Sequence, residues 1–199
     1  MDNNTVLRRE SIILNTIDVI NEFGIHSVST KEIAKRLGIS EGTIFRYFPK
    51  KNNLLNAVLE HYSQYDDDIF HTVREKKMPP EEAIVFYIDS YMAYYENYPA
   101  ITAITQAYDM LKDIPELGDK VKSIFTNRSS FMKELIEEAQ KTGVICKGVD
   151  IDNLTDIITS TYRGICLKWR MNNFDFPLRE KTLNVVCMLL DAFSCRKKI

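Results

Sequence analysis

The stretch TKEIAKRLGISEGTIFRYFPKKNNLL, running from Thr30 to Leu55, decides how this chain is read. It holds two short apolar-periodic patterns separated by one glycine. Ile33, Ala34 and Leu37 give a stripe lasting two turns before Gly38 ends it. Ser40 reads as the next helix cap, and Ile44 with Phe48, four residues apart, forms the inward face of a helix that Pro49 stops. Ahead of this stretch Ser29 and Glu32 read as a capping box. Further upstream, Ile13, Ile17, Ile20 and Phe23 fall on one stripe of a first helix, closed by Gly24 with Ile25 behind it.

The first fifty residues therefore read as helix, helix, tight turn, helix. This is a helix-turn-helix arrangement, whose last helix can enter a major groove. Ile33, Leu37, Ile39, Ile44 and Phe48 supply the small core that fixes the angle between the two short helices. The other face of the third helix shows Glu41, Thr43, Phe45, Arg46 and Tyr47. Facing only water, such a face has little reason to carry two aromatics beside an arginine.

Charge points the same way. The whole chain of 199 residues carries a net −2. Between His26 and Lys51, six basic residues (Lys31, Lys35, Arg36, Arg46, Lys50, Lys51) face Glu32 and Glu41, a local +4, which leaves −6 for the remainder. A basic patch on an acidic body suits a polyanion partner at one end, although a solvated charged face has the same composition.

IAKRLGISEGTIFRYFPKKNNLL resembles the N-terminal signature of TetR-family transcriptional regulators, whose usual form is close to A…AGVS.GT.Y.HF..K..LL. Gly42-Thr43, Phe45, Tyr47-Phe48, Lys51 and Leu54-Leu55 all fall in register. The resemblance implies an all-α fold of about nine helices, with a DNA-binding head over residues 1–51 and a helical ligand-binding and dimerisation body over 52–199. It also implies a homodimer joined through the last two helices, bound to a palindromic double-stranded DNA operator and released by a small molecule. Among the matched positions, Thr30 and Lys51 are expected to meet phosphates, the latter aided by the dipole of the helix it opens. Ser40, Glu41, Gly42 and Thr43 open the recognition helix. Phe45 stands where Tyr is usual and keeps apolar contact while losing a phenolic hydrogen bond. Tyr47 stands where His is common. Arg46 is the candidate base reader, because its planar fork can bridge guanine O6 and N7.

Beyond Lys51 the apolar patterns lengthen into helices over about 52–70, 80–97, 99–112, 117–141, 151–172 and 178–196. Phe86, Tyr87, Tyr91, Tyr94, Tyr95 and Tyr98 fall within thirteen residues. Such density suits a cavity for an apolar or aromatic effector, with Ile104, Tyr108, Phe125, Met132, Tyr162 and Trp169 completing its wall. An aromatic stripe at helical spacing is equally ordinary core. In the last two helices Leu154, Ile158 and Ile165, and Leu183, Val186, Leu190 and Phe193, form stripes wider than one neighbour needs, which suits a subunit interface.

Other classes fit poorly. No Ser/His/Asp or Cys/His set and no phosphate-cradling glycine loop points to an enzyme, and no cofactor or metal is expected. The longest apolar run, Val185 to Leu190, is too short to cross a bilayer. With no signal-peptide core at the N-terminus, a cytoplasmic location is expected. Cys146, Cys166, Cys187 and Cys195 form no CxxC pair and read as ordinary thiols. The competing reading is a DNA-bound interaction or architectural protein with the same head and no small-molecule effector.

Overall fold

The computed structural model describes residues 3–195 and is all-α. Its helices are α1 (Asn3–Phe23), α2 (Thr30–Leu37), α3 (Glu41–Tyr47), α4 (Lys51–Tyr62), α5 (Asp66–Glu75), α6 (Pro80–Asn97), α7 (Thr102–Gln106), α8 (Tyr108–Lys112), α9 (Gly118–Lys141), α10 (Ile151–Met171) and α11 (Leu178–Phe193). Short 3-10 turns precede α2 and α7. Among the described residues no helix is long and apolar enough to cross a membrane.

Two of the expected helices are broken. The pattern over 52–70 divides into α4 and α5 at Ser63. Its hydroxyl donates to the Leu59 carbonyl at 3.0 Å, a bond that competes with helix propagation. Asp66, Asp67 and Asp68 then fill the first turn of α5, where the helix dipole favours negative charge. The pattern over 99–112 becomes a 3-10 turn followed by α7 and α8. Gly118 opens α9 because nothing larger fits: a Cβ there would stand 2.5 Å from the Lys112 carbonyl oxygen. α11 stops at Phe193, and residue 196, the expected end, lies outside the described residues.

The chain forms two compact units. One comprises the residues up to Gln64 together with Tyr98–Ile124; the other comprises Tyr65–Asn97 and the chain from Phe125 onward. The sequence reading divides the chain at Lys51 by function; by packing, α4 and residues 98–124 share the first unit with the head. There α1 packs against α2, α4, α7 and the 3-10 turn Pro99–Ile101. The core is drawn from Ile12, Ile17, Ile33, Ile44, Leu54 and Leu59, all fully buried. In the second unit α11 packs on α6 and α10, and α5 packs on α6.

Two local expectations change. Phe23 does not join the buried stripe of α1; it is 55% exposed and lies under the Arg36 guanidinium, 5.3 Å from the ring centre. Ser29 precedes α2 without a side-chain cap bond, so the capping box is not formed. The Glu32 carboxylate instead accepts from Arg36 Nε at 3.0 Å.

The cysteines are also not all free. Cys146 and Cys195, 49 residues apart in sequence, are joined by a disulfide with their Cα atoms 4.8 Å apart. Cys166 is a buried thiol and Cys187 an exposed one. Spacing in sequence gave no hint of the pair because a short backbone bridge between Ile145 and Ser194 brings the two segments together.

Candidate DNA interface and effector unit

The candidate DNA interface is built by α2 and α3. Gly38 adopts the left-handed conformation (φ 63°) that ends α2, and its N–H is held by the Ala34 and Lys35 carbonyls. Two residues later Ser40 caps α3, its Oγ accepting from the Thr43 N–H at 3.1 Å. Ile44 and Phe48 are buried at 0% and 3%, so the opposite side of α3 is turned outward. Glu41, Gly42, Phe45 and Arg46 are exposed there, while Thr43 and Tyr47 are half-buried at the margins. Arg46 lies against the Tyr47 ring, 5.5 Å from its centre. Thr30 Oγ1 donates to Glu41 Oε2 at 2.7 Å.

The basic patch is smaller than composition suggests. Arg36 donates to both Glu22 carboxylate oxygens at 2.9 and 2.7 Å while also holding Glu32. Hydrogen bonding to Arg36 pulls the Glu22 carboxyl below its ordinary value. Arg36 therefore clamps α2 to α1 and is not free to meet phosphate. Lys51 is exposed at the start of α4. Beside it Glu116 pairs with Lys50 at 4.0 Å and accepts from the Asn52 side-chain amide. Behind the recognition helix a groove of about 1170 Å³ opens between α1, α3 and α4, lined by Arg9, Arg46, Tyr47, Glu60 and His61 among others.

In the second unit the structure separates the expected effector residues. Phe86 and Tyr94 line a shallow 210 Å³ cleft between α5 and α6, together with Tyr65 and Ser90. Tyr91 and Tyr95 are buried around an ion pair that the sequence reading missed. Arg128 donates to Asp66 through Nη2 at 2.7 Å and through Nε at 2.9 and 3.1 Å. Tyr91 OH donates to the same carboxylate at 2.8 Å, and Arg128 Nη1 donates to Tyr95 OH at 3.2 Å. Burial raises the Tyr91 hydroxyl well above its ordinary value, and the Arg128 charge opposes that rise. Met132, Tyr162 and Trp169 are buried.

Phe125 is a correction: it is 43% exposed beneath the Arg163 guanidinium and lines no interior. Tyr98, Ile104 and Tyr108 belong to the first unit, where Tyr108 meets the Tyr62 ring edge-on. Two buried donors of the second unit, Trp169 Nε1 and Thr182 Oγ1, have no hydrogen-bond partner among the described residues. They occupy the end of α10 and the start of α11, on either side of the connection between those helices.

The expected dimer residues also divide. Leu154, Ile158, Val186 and Leu190 are buried within the chain itself, at 4% exposure or less, and offer no surface to a partner. Ile165, Leu183 and Phe193 are half-buried. The exposed apolar side chains of these helices are instead Ile157, Leu167 and Met171 on α10 and Met188 on α11. Among the described residues no cluster of His, Cys, Asp and Glu is placed to hold a metal ion.

A capped, outward-facing recognition helix joined to a separate helical unit defines a helix-turn-helix transcriptional regulator. Residues 12–58 match the family of bacterial regulatory proteins of the tetR family, and residues 54–192 match the C-terminal region of YsiA-like proteins. The chain belongs to the TetR family of transcriptional regulators, and it is not an enzyme. It is 24% identical over 182 residues to the fatty acid metabolism regulator protein of Bacillus subtilis, covering 91% of this chain and 93% of that protein. The crystal structure of the transcriptional regulator FadR from Bacillus subtilis in complex with stearoyl-CoA superposes with a TM-score of 0.77 at 24% identity. It covers 91% of this chain and 97% of that one. The nucleoid occlusion factor SlmA of Haemophilus ducreyi is 26% identical over 119 residues, 59% of each chain.

Proposed function

We propose that this regulator is a repressor that binds a palindromic operator as a homodimer and leaves it when a long-chain fatty acyl-CoA enters the second unit. One observation carries the choice of effector: the alignment with a fatty acid metabolism regulator runs through 91% of the chain, well past the DNA-binding head. The interior supports the same class. It is apolar and aromatic enough for an acyl chain, yet it buries the donors Trp169 Nε1 and Thr182 Oγ1 without partners. A buried donor left unpaired costs on the order of 1–3 kcal/mol, which a ligand carbonyl would recover.

Two recognition helices must reach successive major grooves about 34 Å apart, which requires two subunits. The exposed apolar face of α10 and α11 is the surface we assign to that contact, centred on Ile157, Leu167, Met171 and Met188. Thr30, Ser40, Glu41, Gly42, Thr43, Phe45, Arg46, Tyr47 and Lys51 form the DNA contact. An acyl-CoA that fits one conformation better than another would shift the heads away from operator spacing, by no more than its differential affinity.

The test is selection of sites from random duplex DNA, followed by fluorescence anisotropy on the selected sequence with stearoyl-CoA, free CoA or stearate added. A palindrome released by stearoyl-CoA and not by free CoA is expected. A palindrome indifferent to all three would favour a DNA-bound protein without this effector, the role closer to that of a nucleoid occlusion factor. Binding without a consensus would overturn the repressor reading.

A further inference from the structure

The Cys146–Cys195 disulfide lies where the last turn of α11 meets the loop between α9 and α10. The contact is more than a pair of sulfurs. Cys146 N–H donates to the Phe193 carbonyl at 3.1 Å, Cys195 N–H donates to the Val144 carbonyl at 3.1 Å, and Ile145 pairs with Ser194 in an antiparallel bridge. On the loop side, the Gln140 amide donates to the Cys146 and Val149 carbonyls at 3.1 and 2.9 Å, which shapes the loop that presents Cys146. One bridge of this kind is weak alone, and the covalent bond closes it.

The position of the pair separates it from a core staple. Cys195 is exposed and Cys146 half-buried. Accessible disulfides are the ones that exchange with small thiols, whereas buried structural ones resist. Both cysteines are flanked in sequence by cations, Lys147 on one side and Arg196-Lys197-Lys198 on the other. Such charge attracts an anionic oxidant.

We propose that Cys146 and Cys195 form a reversible redox latch that locks the C-terminal turn of α11 onto the α9–α10 loop when oxidised and frees it when reduced. The oxidant class is an anionic low-molecular-weight disulfide. The Cys195 thiolate attacks one of its sulfurs and expels one thiolate. The Cys146 thiolate then attacks the Cys195 sulfur of the mixed disulfide and expels the second. Two cysteine thiols are oxidised, the small disulfide is reduced to two thiols, and the cysteine protons leave with them. α11 also carries Met188 on the face assigned above to the partner subunit, so a locked α11 tightens the dimer; this last step rests on the dimer reading.

The test uses the full chain with the exposed Cys187 changed to Ser, which removes intermolecular pairing. The protein is equilibrated in glutathione buffers from fully reduced to fully oxidised, acid-quenched, alkylated and mapped by mass spectrometry. The expected result is a Cys146–Cys195 disulfide under oxidised glutathione that is lost under reduced glutathione. Amide exchange over residues 143–147 and 190–195 should slow at least tenfold on oxidation, with no change in a Cys146→Ser variant. A pair that never forms, a pair that survives millimolar reduced glutathione, or exchange that ignores redox state would overturn the latch. Sedimentation equilibrium of both forms separates the second claim: a dimer at least threefold tighter when oxidised supports the coupling, and an unchanged dimer constant overturns it. A monomer in both states would overturn the dimer reading, leaving the latch to be judged by thiol mapping and exchange.

Discussion

Thr30 Oγ1 donates to Glu41 Oε2 at 2.7 Å across eleven residues, tying the first turn of α2 to the first turn of α3. These two turns carry residues that we propose for phosphate and base contact, Thr30 on one and Glu41, Gly42 and Thr43 on the other. A hydrogen bond to a charged group contributes roughly 1–3 kcal/mol. Because this one is exposed to water, Thr30→Val is expected to cost about 1 kcal/mol of DNA binding, or about fivefold in affinity. Glu41→Ala removes the same bond by deleting its acceptor, so the double variant should lose less than the sum of the two single losses. Anisotropy titrations of the four proteins decide this. Strictly additive losses would mean that the bond contributes nothing to docking.

Arg46 and Lys51 are expected to fail differently. Arg46 stands exposed on the outward side of α3, and Lys51 stands exposed at the start of α4. Arg46→Ala should cost roughly 1–3 kcal/mol on the operator and relax preference at one base position. Lys51→Ala should weaken all duplexes alike and lower the salt slope by about one unit. Equal losses for Arg46→Ala on operator and random DNA would remove its assignment as a base reader.

The head was legible because its determinants are local. Gly38, Ser40, Ile44 and Phe48 fix one turn and one helix within eleven residues, and each stands in the expected role. The capping box at Ser29 was not legible, because Arg36 draws Glu32 away while also holding Glu22, fourteen residues distant. In the last two helices the apolar period marked Leu154, Ile158, Val186 and Leu190 for a subunit interface, and they are buried within the chain itself. A period, however, says nothing about whether the covering surface comes from the same chain or another. Arg128 was overlooked although a signal existed: it sits in the stripe Val121, Ile124, Phe131, Leu135 of α9, where a cation must find a buried partner.

That partner makes Arg128 a structural lever. Arg128 is 4% exposed and Asp66 8%, and the pair joins α9 to α5 with Tyr91 of α6 bonded to the same carboxylate. Removing one member leaves the other buried and uncompensated, so Arg128→Met is expected to destabilise by about 3–5 kcal/mol. Changing both, Asp66→Leu with Arg128→Met, should recover a large part of that loss, because two apolar side chains need no counter-charge. Guanidinium unfolding of the three proteins measures it. A double variant as unstable as the single one would show that the Tyr91 hydroxyl, left without its acceptor, dominates the loss.

His61 gives the first unit a pH dependence. It lies in the last turn of α4, with the Tyr98 ring edge-on at 6.5 Å, and burial lowers its pKa below the ordinary 6.5 while the Glu10 charge opposes that shift. With the folded value below the unfolded one, the unfolded chain binds more protons as pH falls. Stability from this group is therefore complete above the unfolded pKa and is lost as pH drops through 6.5 toward the folded value. His61→Gln keeps a polar side chain of similar reach and removes the titration. Urea midpoints measured at pH 7.5, 6.5 and 5.5 should decline in the parent and decline less in the variant. Parallel declines would assign the acid sensitivity to other groups and leave His61 as a packing residue of α4.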